Sequence, residues 1–182
     1  MTATTTSHFL RFTPPDAAAL QVEIAQARVR LDAALQVGDS VAILDHAGML
    51  VGALTSLRAE QEALQIGLAH IPAARALPQA EESAWLLHTV ATAAQYVGDR
   101  AQANVLFQDA LNLCQTLGWR KLEHFVLHHW GRSKVEEGEF AVAEQYFQAS
   151  LLIRRELGDP RVQSSQRALD ELAKLRSSSG KE

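Results

Sequence analysis

The sequence repeats with a period of 40 residues, and this period restricts its fold more than any single residue does. Residues 98–107 align with residues 138–147, and residues 117–118 align with residues 157–158. Apolar side chains recur at the same step along the chain, at Leu31, Ile71, Leu111 and Leu151. A period in this range is typical of solenoids, in which each helical pair buries its apolar face by stacking on its neighbours. The repeat therefore predicts a binding scaffold, without naming its partner.

Turn residues alternate at half of this period and divide the chain into helices. They are Arg58, Pro78, Gly98, Gly118, Gly138 and Gly158. The intervals between them are filled with Ala, Leu, Gln and Glu and show no period-two runs of β-branched residues, which favours helix over strand. Thr13 precedes two prolines and is predicted to cap a first helix that begins near residue 14. The sequence therefore predicts an all-α fold with about eight helices.

The two ends of the chain are predicted to differ from the repeats. A last helix, over residues 160–176, has an apolar pattern that leaves the register of the earlier copies. It is predicted to be a C-terminal capping helix, because an unpaired repeat face would otherwise remain in water. Residues 1–13 are predicted to form a flexible N-terminal arm, and residues 177–182 a disordered tail.

Composition favours a soluble protein of the cytoplasm. The 182 residues carry a formal net charge of −4, so no global positive field would attract nucleic acid or a membrane, and neither is expected as a partner. The start lacks the basic and apolar regions of a secretory signal. Cys114 is the single cysteine, which suits a reducing compartment, and its register with Ala34 and Ala74 predicts a small buried residue. The alanine-rich composition favours a bacterial source.

The repeat units resemble tetratricopeptide repeats. The positions that carry the resemblance are Leu87, Ala91, Gly98, Ala103 and Phe107 in one unit and Leu127, Gly131, Gly138, Phe140, Ala143 and Phe147 in the next. With their long period the units are similar to those of Leu-Gly-Asn-type polarity adaptors, kinesin light chains and the sensor arms of bacterial transcriptional regulators. The resemblance implies a right-handed α-solenoid of antiparallel helix pairs in a single domain over residues 14–176. Its units would span residues 40–78, 80–118 and 120–158.

The resemblance also implies where a peptide would bind. In this family, one face of the first helix of each pair lines a concave groove, which here would contain Trp85, His88, Thr92, Gln95, Tyr96, Phe125, His128 and Arg132. Asp45, Gly48, Gly52 and Thr55 would continue this groove. Arg132 is the expected anchor for a carboxylate. In the alternative interpretation, the N-terminal segment or a second copy covers the aromatic rings, and the polar residues are only solvated.

Two glycines, Gly48 and Gly52, lie inside a predicted helix. They indicate either the close approach of another backbone or chain, or simple tolerance of glycine in a packed bundle.

The N-terminal arm contains three large apolar residues, Phe9, Leu10 and Phe12, which indicate that it could dock on a protein surface. They would dock in the molecule's own groove or in that of a second copy, and the sequence leaves both alternatives, including a homodimer, open.

Catalysis and metal binding are not expected. His124 and His128 lie one helical turn apart, but no Glu between them and no nearby cysteine completes a metal-site pattern. Paired carboxylates such as Glu81-Glu82 and Glu136-Glu137 fall near helix ends, where they interact with the helix dipole or with solvent. No phosphate loop, nucleophile elbow or dinucleotide fingerprint occurs. We therefore expect no enzyme activity, no cofactor and no metal.

The first functional hypothesis is an adaptor that binds a peptide segment of a partner protein in the concave groove. A second is a ligand-sensing or dimerising module of a bacterial signalling system. A third is a secretion-type chaperone, since such proteins are small, acidic and built from about three repeats of this kind. An adaptor should bind a protein segment as a monomer, whereas a regulatory module should change its oligomeric state with a small effector.

Overall fold

Eight α-helices make up the secondary structure in the computed structural model of the chain, which describes residues 8–14 and 16–179. They are α1 (Ala17–Val37), α2 (Ser40–Ser56), α3 (Glu60–Ala76), α4 (Glu81–Val97), α5 (Arg100–Leu117), α6 (Arg120–Glu136), α7 (Phe140–Glu156) and α8 (Val162–Ser179). No strand occurs within these described residues. The predicted all-α class and the predicted number of helices are therefore confirmed for this part of the chain.

Short connections separate the helices where the sequence predicts them. Gly98 ends α4 with φ 97°, and its backbone N–H donates to the carbonyls of Ala94 and Gln95. Gly118 ends α5 in the same left-handed region, with φ 73°. Glycine adopts this conformation without the steric cost that a Cβ adds. In the connection after α2, the left-handed residue is Arg58, with φ 71°, so this repeat lacks the glycine of its neighbours.

The start of α1 corrects the predicted cap. Asp16 is the N-cap, and its side chain accepts hydrogen bonds of 2.9 Å from the backbone N–H groups of residues 18–19. Thr13 therefore precedes the helix. The reason is steric, because Pro14 comes before a second proline and a residue before proline is disfavoured in the α region, so the helix does not begin at residue 14. Pro15 lies outside the described residues.

The last helix is longer than predicted. α8 ends at Ser179 and so runs past the predicted helix 160–176 into the predicted disordered tail, 177–182. The hydroxyls of residues 177–178 donate to the carbonyl of Lys174, at 2.8 and 3.0 Å. In these bonds the serine hydroxyls bond back to the preceding helical turn, as serine side chains commonly do. The final three residues lie outside the described part of the chain.

The described chain forms two compact units. The larger unit comprises residues 13–126, and the smaller unit comprises residues 8–12 and 127–179. In the larger unit α1 packs on α2, α2 packs on α3 and α4, and α4 also packs on α3 and α5. Ala63 of α3 and Ala103 of α5, one repeat apart, are completely buried and allow this close helix packing. The single predicted domain and its solenoid arrangement stay predictions.

Cys114 of α5 is completely buried. Burial raises the pKa of the Cys114 thiol to about 12, and the nearby charges of Glu123 and Glu81 act in the same direction. The thiol therefore stays protonated at neutral pH. This confirms the prediction that the residue is a small buried side chain.

The smaller unit has its own core, where α7 packs against α8. The buried core residues are Val135, Ala143, Phe147, Ala168 and Leu172. Beside this core, the buried guanidinium of Arg154 donates to Ser165 Oγ at 2.8 Å and to the carbonyl of Arg161 at 3.1 Å. Burial lowers the pKa of Arg154 to about 10. Arg154 occupies the repeat position that Cys114 holds in the preceding unit, so a polar contact here replaces an apolar one.

Candidate functional site

An open pocket of about 360 Å³ lies on the larger unit, where α2, α4 and α6 contribute its lining. The lining residues are Asp45, Met49, Glu81, Glu82, Trp85, Lys121, Leu122 and Phe125. We call this the acidic aromatic pocket. Its walls combine aromatic rings, a thioether and charged groups, so apolar contact area lies beside polar groups that can orient a ligand.

Two aromatic rings form the apolar wall of the pocket. Trp85 and Phe125 are half-buried, and their ring centroids lie 6.1 Å apart at an interplanar angle of 81°. This edge-to-face geometry is favourable for aromatic pairs. His88 lies one turn further along α4, with its ring centroid 5.3 Å from that of Trp85. The exposed parts of Trp85 and Phe125 are therefore held in place by neighbouring rings.

Gly48 of α2 makes room for the indole ring. A Cβ added at Gly48 would lie 2.5 Å from Cδ1 of Trp85, closer than real Cβ contacts allow. The close neighbour predicted for this glycine is therefore a side-chain ring of the same unit, rather than another backbone or chain. At Gly52, one turn later, an added Cβ would meet Cγ2 of Thr89 at an ordinary contact distance of 3.8 Å. Of these two glycines, only Gly48 must lack a Cβ for the Trp85 ring to keep its position.

Negative charge dominates the rim of the pocket. Glu81 and Glu82 lie in the first turn of α4, where the helix dipole favours carboxylates. Asp45 of α2 adds a third carboxylate, and its Oδ2 lies 3.3 Å from Nδ1 of His46. Among the lining residues, Lys121 carries the positive charge. Three carboxylates beside one ammonium give the site a net negative charge, which favours a cationic group.

The residues that the sequence predicts for the groove separate into two sets. Trp85 and Phe125 line the acidic aromatic pocket. His88, Thr92 and Gln95 are buried, and the ring of His88 contacts both aromatic rings of the wall. The cause is the packing of α4 on α2, α3 and α5, which encloses most of its circumference. Tyr96, near the end of α4, is half-buried and lies outside the pocket lining.

Burial changes the chemistry of His88. Burial and the nearby His124 lower the pKa of His88 to about 3. Its imidazole is therefore neutral at neutral pH and does not act as a cation toward a ligand carboxylate. Thr92 Oγ1 donates to the carbonyl of His88 at 3.0 Å, so this part of α4 is also bonded internally.

The other two predicted groove residues belong to the smaller unit. Nδ1 of His128 lies 3.3 Å from Ser165 Oγ, and the His128 ring centroid lies 5.5 Å from that of Phe147. Arg132 is 5% exposed, and its Nε donates to the carbonyl of Phe9 at 2.9 Å. The guanidinium expected to hold a partner's carboxylate is thus bonded to a backbone oxygen of its own chain.

Sequence reasoning placed Asp45 in the predicted groove but gave Glu81 and Glu82 no role in binding, although a signal was present. Glu81 and Lys121 lie one period apart, as do Glu82 and Leu122. Asp45, Trp85 and Phe125 follow the same step. Equivalent positions of successive repeats line one pocket, so the period itself could have identified the set.

A second surface groove, of about 460 Å³, is lined by α3 and α5 of the larger unit. Its lining is mainly aliphatic and includes Leu68, Pro72 and Val105. Arg75 also lines this groove, and its guanidinium donates to Asp109 Oδ2 at 2.8 Å. The groove lacks a convergent set of polar groups, and we therefore treat the acidic aromatic pocket as the candidate site.

Comparison of the sequence with protein-family models and with curated proteins gives no match.

Within the described residues, no group of three or more His, Cys, Asp or Glu side chains is arranged to hold a metal ion. In that same part of the chain, no helix has both the length and the apolar character needed to cross a bilayer.

Proposed function

We propose that the chain is a non-catalytic scaffold of tetratricopeptide type that binds a peptide segment of a partner protein at the acidic aromatic pocket. The pocket takes a lysine or arginine side chain of that segment. The repeat register of the sequence and the eight helices of the described chain support the scaffold part of this proposal. The chemistry of the pocket supports the choice of ligand.

One observation carries the proposal, namely that carboxylates and an aromatic pair line the same pocket. The Trp85–Phe125 pair offers ring faces and edges, while Glu81 and Glu82 lie in the same lining. A cation over the face of a tryptophan gains about 0.5–2 kcal/mol, depending on its desolvation. Charge-assisted hydrogen bonds to carboxylates add to this gain and fix the orientation. Lysine and arginine are the peptide side chains that satisfy both features.

The remaining lining residues suit the hydrocarbon stem of such a side chain. Met49 is 45% exposed and Leu122 is almost completely buried, so a flexible thioether borders a fixed apolar floor. Lysine and arginine bury their methylene groups along apolar surface and keep the charged head at a polar rim. Lys121 at the rim disfavours a second cation nearby, which restricts the segment to a single basic residue at this point.

Selection from a randomised peptide library on the immobilised protein tests the proposal. We expect enrichment of peptides with a lysine or an arginine, and loss of their binding when that residue is replaced by glutamine. The site variant Glu81→Gln/Glu82→Gln should weaken the selected peptide at least about tenfold, because charge-assisted hydrogen bonds contribute about 1.5–3 kcal/mol each.

The matched control is Glu60→Gln/Glu62→Gln. These carboxylates occupy the first turn of α3, as Glu81 and Glu82 occupy that of α4, and they lie outside the pocket lining. The control removes the same charge from the molecule and should retain full affinity. Equal loss in both variants, or selection of peptides without a basic residue, would contradict the proposal. Binding of free arginine without any selected peptide would instead favour a small-ligand sensor.

A further inference from the structure

Residues 8–10 of the N-terminal arm belong to the smaller unit and lie against its helices. The arm is thus bonded to helices that follow it by more than a hundred residues in sequence. The side chains of Phe9 and Leu10 are partly buried and pack against the core that contains Phe147 and Leu172. The centroid of the Phe9 ring lies 6.1 Å from that of Phe147, at an interplanar angle of 30°. An aromatic residue followed by an aliphatic one thus fills an apolar site on this unit.

The backbone of Phe9 is held on both sides by one helix. Its N–H donates to Glu136 Oε1 at 3.0 Å, and its carbonyl accepts from Arg132 Nε at 2.9 Å. Glu136 and Arg132 lie one helical turn apart on α6, and the second carboxylate oxygen of Glu136 lies 3.2 Å from Nδ1 of His8. Charged side chains that bond the N–H and the carbonyl of one residue recognise a peptide main chain irrespective of its side chain. The apolar contacts then select phenylalanine and leucine.

The bound segment is a turn. The N–H of Arg11 donates to the carbonyl of His8 at 3.4 Å, and Leu10 between them has φ 48°. A residue other than glycine persists in this left-handed region only where its surroundings compensate for the strain. The contacts with α6, α7 and α8 supply this compensation. A peptide ligand of the site would therefore carry a Phe-Leu pair within a tight turn.

The arm covers its site while it remains partly exposed to solvent. Residues 8–11 are only partly buried, and Phe12 is 60% exposed, whereas Phe147 beneath them is completely buried. Segments with few buried contacts open locally at a small fraction of the global unfolding free energy. The site beneath the arm is therefore accessible to a competitor of the same chemistry.

We infer that this surface of α6, α7 and α8 is a second peptide-binding site, specific for a Phe-Leu turn, and that residues 8–10 of the same chain are its built-in, displaceable occupant. We call it the arm site. It differs from the acidic aromatic pocket in unit, in residues and in ligand chemistry. Because the occupant is tethered to the protein, its effective concentration suppresses weaker competitors.

A labelled synthetic peptide with the sequence of residues 5–13 tests the inference by fluorescence anisotropy on the full-length chain. The arm-released variant Phe9→Ala/Leu10→Ala should bind this peptide at least about tenfold more tightly than the wild type, because an arm that occupies its site for nine-tenths of the time reduces the apparent affinity by that factor. Adding Arg132→Met to the arm-released variant should abolish the binding. Adding Trp85→Ala should leave it unchanged, so failure of the proposed function does not affect this test.

A second measurement uses the wild type, in case the arm-released variant does not fold. An excess of isotopically labelled peptide should accelerate amide hydrogen exchange at Phe9 of the protein, since the peptide displaces the arm. Unchanged exchange at saturating peptide, or equal affinity of the two folded proteins, would overturn the inference. A wild type that forms dimers, and in which the double substitution yields monomers, would overturn it as well, because the occupant would then come from a second copy.

Discussion

At the scale of single residues, the position of the Trp85 ring depends on the absence of a side chain at Gly48. We predict that Gly48→Ala lowers the free energy of unfolding by about 1–3 kcal/mol, the range measured for overpacked cores. The added Cβ would lie 2.5 Å from the indole ring, so the ring must shift. The same shift should weaken binding at the acidic aromatic pocket. Urea denaturation and a titration with the selected peptide measure the two effects.

Gly52→Ala is the control for this prediction. Gly52 also lies inside α2, but an added Cβ would make only an ordinary contact with Thr89. Alanine has a higher helix propensity than glycine by about 1 kcal/mol, so this variant should be as stable as the wild type or more stable, with unchanged affinity. If both variants have the same stability, Gly48 does not determine the place of Trp85.

The depressed pKa of His88 predicts a loss of stability in mild acid. In the folded state the pKa is about 3, against an ordinary value of 6.5. The unfolded state therefore binds an additional proton once the pH falls below 6.5, so the contribution to stability is complete above this pH and is lost as the pH falls toward the folded pKa. The slope is about 1.4 kcal/mol per pH unit. We expect a loss of about 2 kcal/mol between pH 6.5 and pH 5.

The variant His88→Phe keeps an aromatic ring at this position but cannot take up a proton. In urea denaturation between pH 5 and pH 7, its free energy of unfolding should depend less on pH than that of the wild type. The difference between the two slopes measures the contribution of His88. Identical slopes would mean that His88 is protonated equally in the folded and the unfolded state.

The sequence predicts the aromatic residues of the site better than its polar ones. Trp85 and Phe125 could be predicted because they occupy equivalent positions of two repeats. The burial of His88 could not, since it depends on three helices that pack around α4. The sequence interprets Glu81 and Glu82 as partners of the helix dipole or as solvated side chains, and this explains their place in the chain without excluding a second role in the pocket.

At the scale of elements, the connection after α2 carries strain that its counterparts avoid. Arg58 has φ 71°, whereas the equivalent position in the next repeat is Gly98. We predict that Arg58→Gly raises the free energy of unfolding by about 0.5–1 kcal/mol. This is the steric cost of a Cβ in the left-handed region, reduced by the greater flexibility of glycine in the unfolded chain. Thermal and urea denaturation measure the gain.

Arg58→Ala separates the backbone effect from the side chain. It removes the exposed hydrogen bond from Arg58 Nη2 to Thr13 Oγ1, 3.3 Å long, but keeps a Cβ at the strained position. This variant should be no more stable than the wild type. In the opposite direction, Gly98→Ala should lose about 1 kcal/mol, because an added Cβ contacts nothing there and only the conformation matters. A gain from Arg58→Ala equal to that from Arg58→Gly would refute the explanation.

Helix number and helix type follow from the sequence because turn residues at half of the period end each helix. The ends of the chain were less predictable. The start of α1 depends on whether Thr13 or Asp16 caps it, and Asp16 is the cap because the second of the two prolines disfavours a helix that begins at residue 14. The end of α8 depends on serine hydroxyls that bond back to the preceding turn, and serines in a row otherwise indicate a disordered tail.

At the scale of the whole molecule, the repeat predicts the kind of architecture but not how its surfaces are used. A stacked helical scaffold offers many faces, and the sequence alone does not distinguish a face that binds a partner from one that binds its own chain. The structure places residues 8–10 on α6, α7 and α8 of the smaller unit. Where the arm docks depends on the fit between the turn of residues 8–11 and the helical surface that receives it. The periodicity of the sequence does not encode this fit.

The net charge of the molecule leads to a last prediction, about salt. The chain carries −4, and three of its carboxylates are concentrated at the pocket, so a basic peptide is attracted before it makes contact. Raising the ionic strength from about 0.05 M to about 0.5 M shortens the screening length from about 14 Å to about 4 Å. We predict that the association rate of the selected peptide falls roughly tenfold over this range, while its dissociation rate changes little, because charges at the rim act mainly on encounter. Stopped-flow fluorescence measures both rates.

The variant Glu81→Gln/Glu82→Gln is the reference for this salt series. It lacks two of the three pocket carboxylates, so its association rate should already be low at low salt and should vary much less with ionic strength. The variant Glu60→Gln/Glu62→Gln has the same net charge and keeps the pocket intact, so it should retain most of the salt dependence. If the two variants respond to salt in the same way, the overall charge attracts the peptide and the carboxylates of the pocket do not. A salt-independent rate in the wild type would show that the pocket does not recognise a cation.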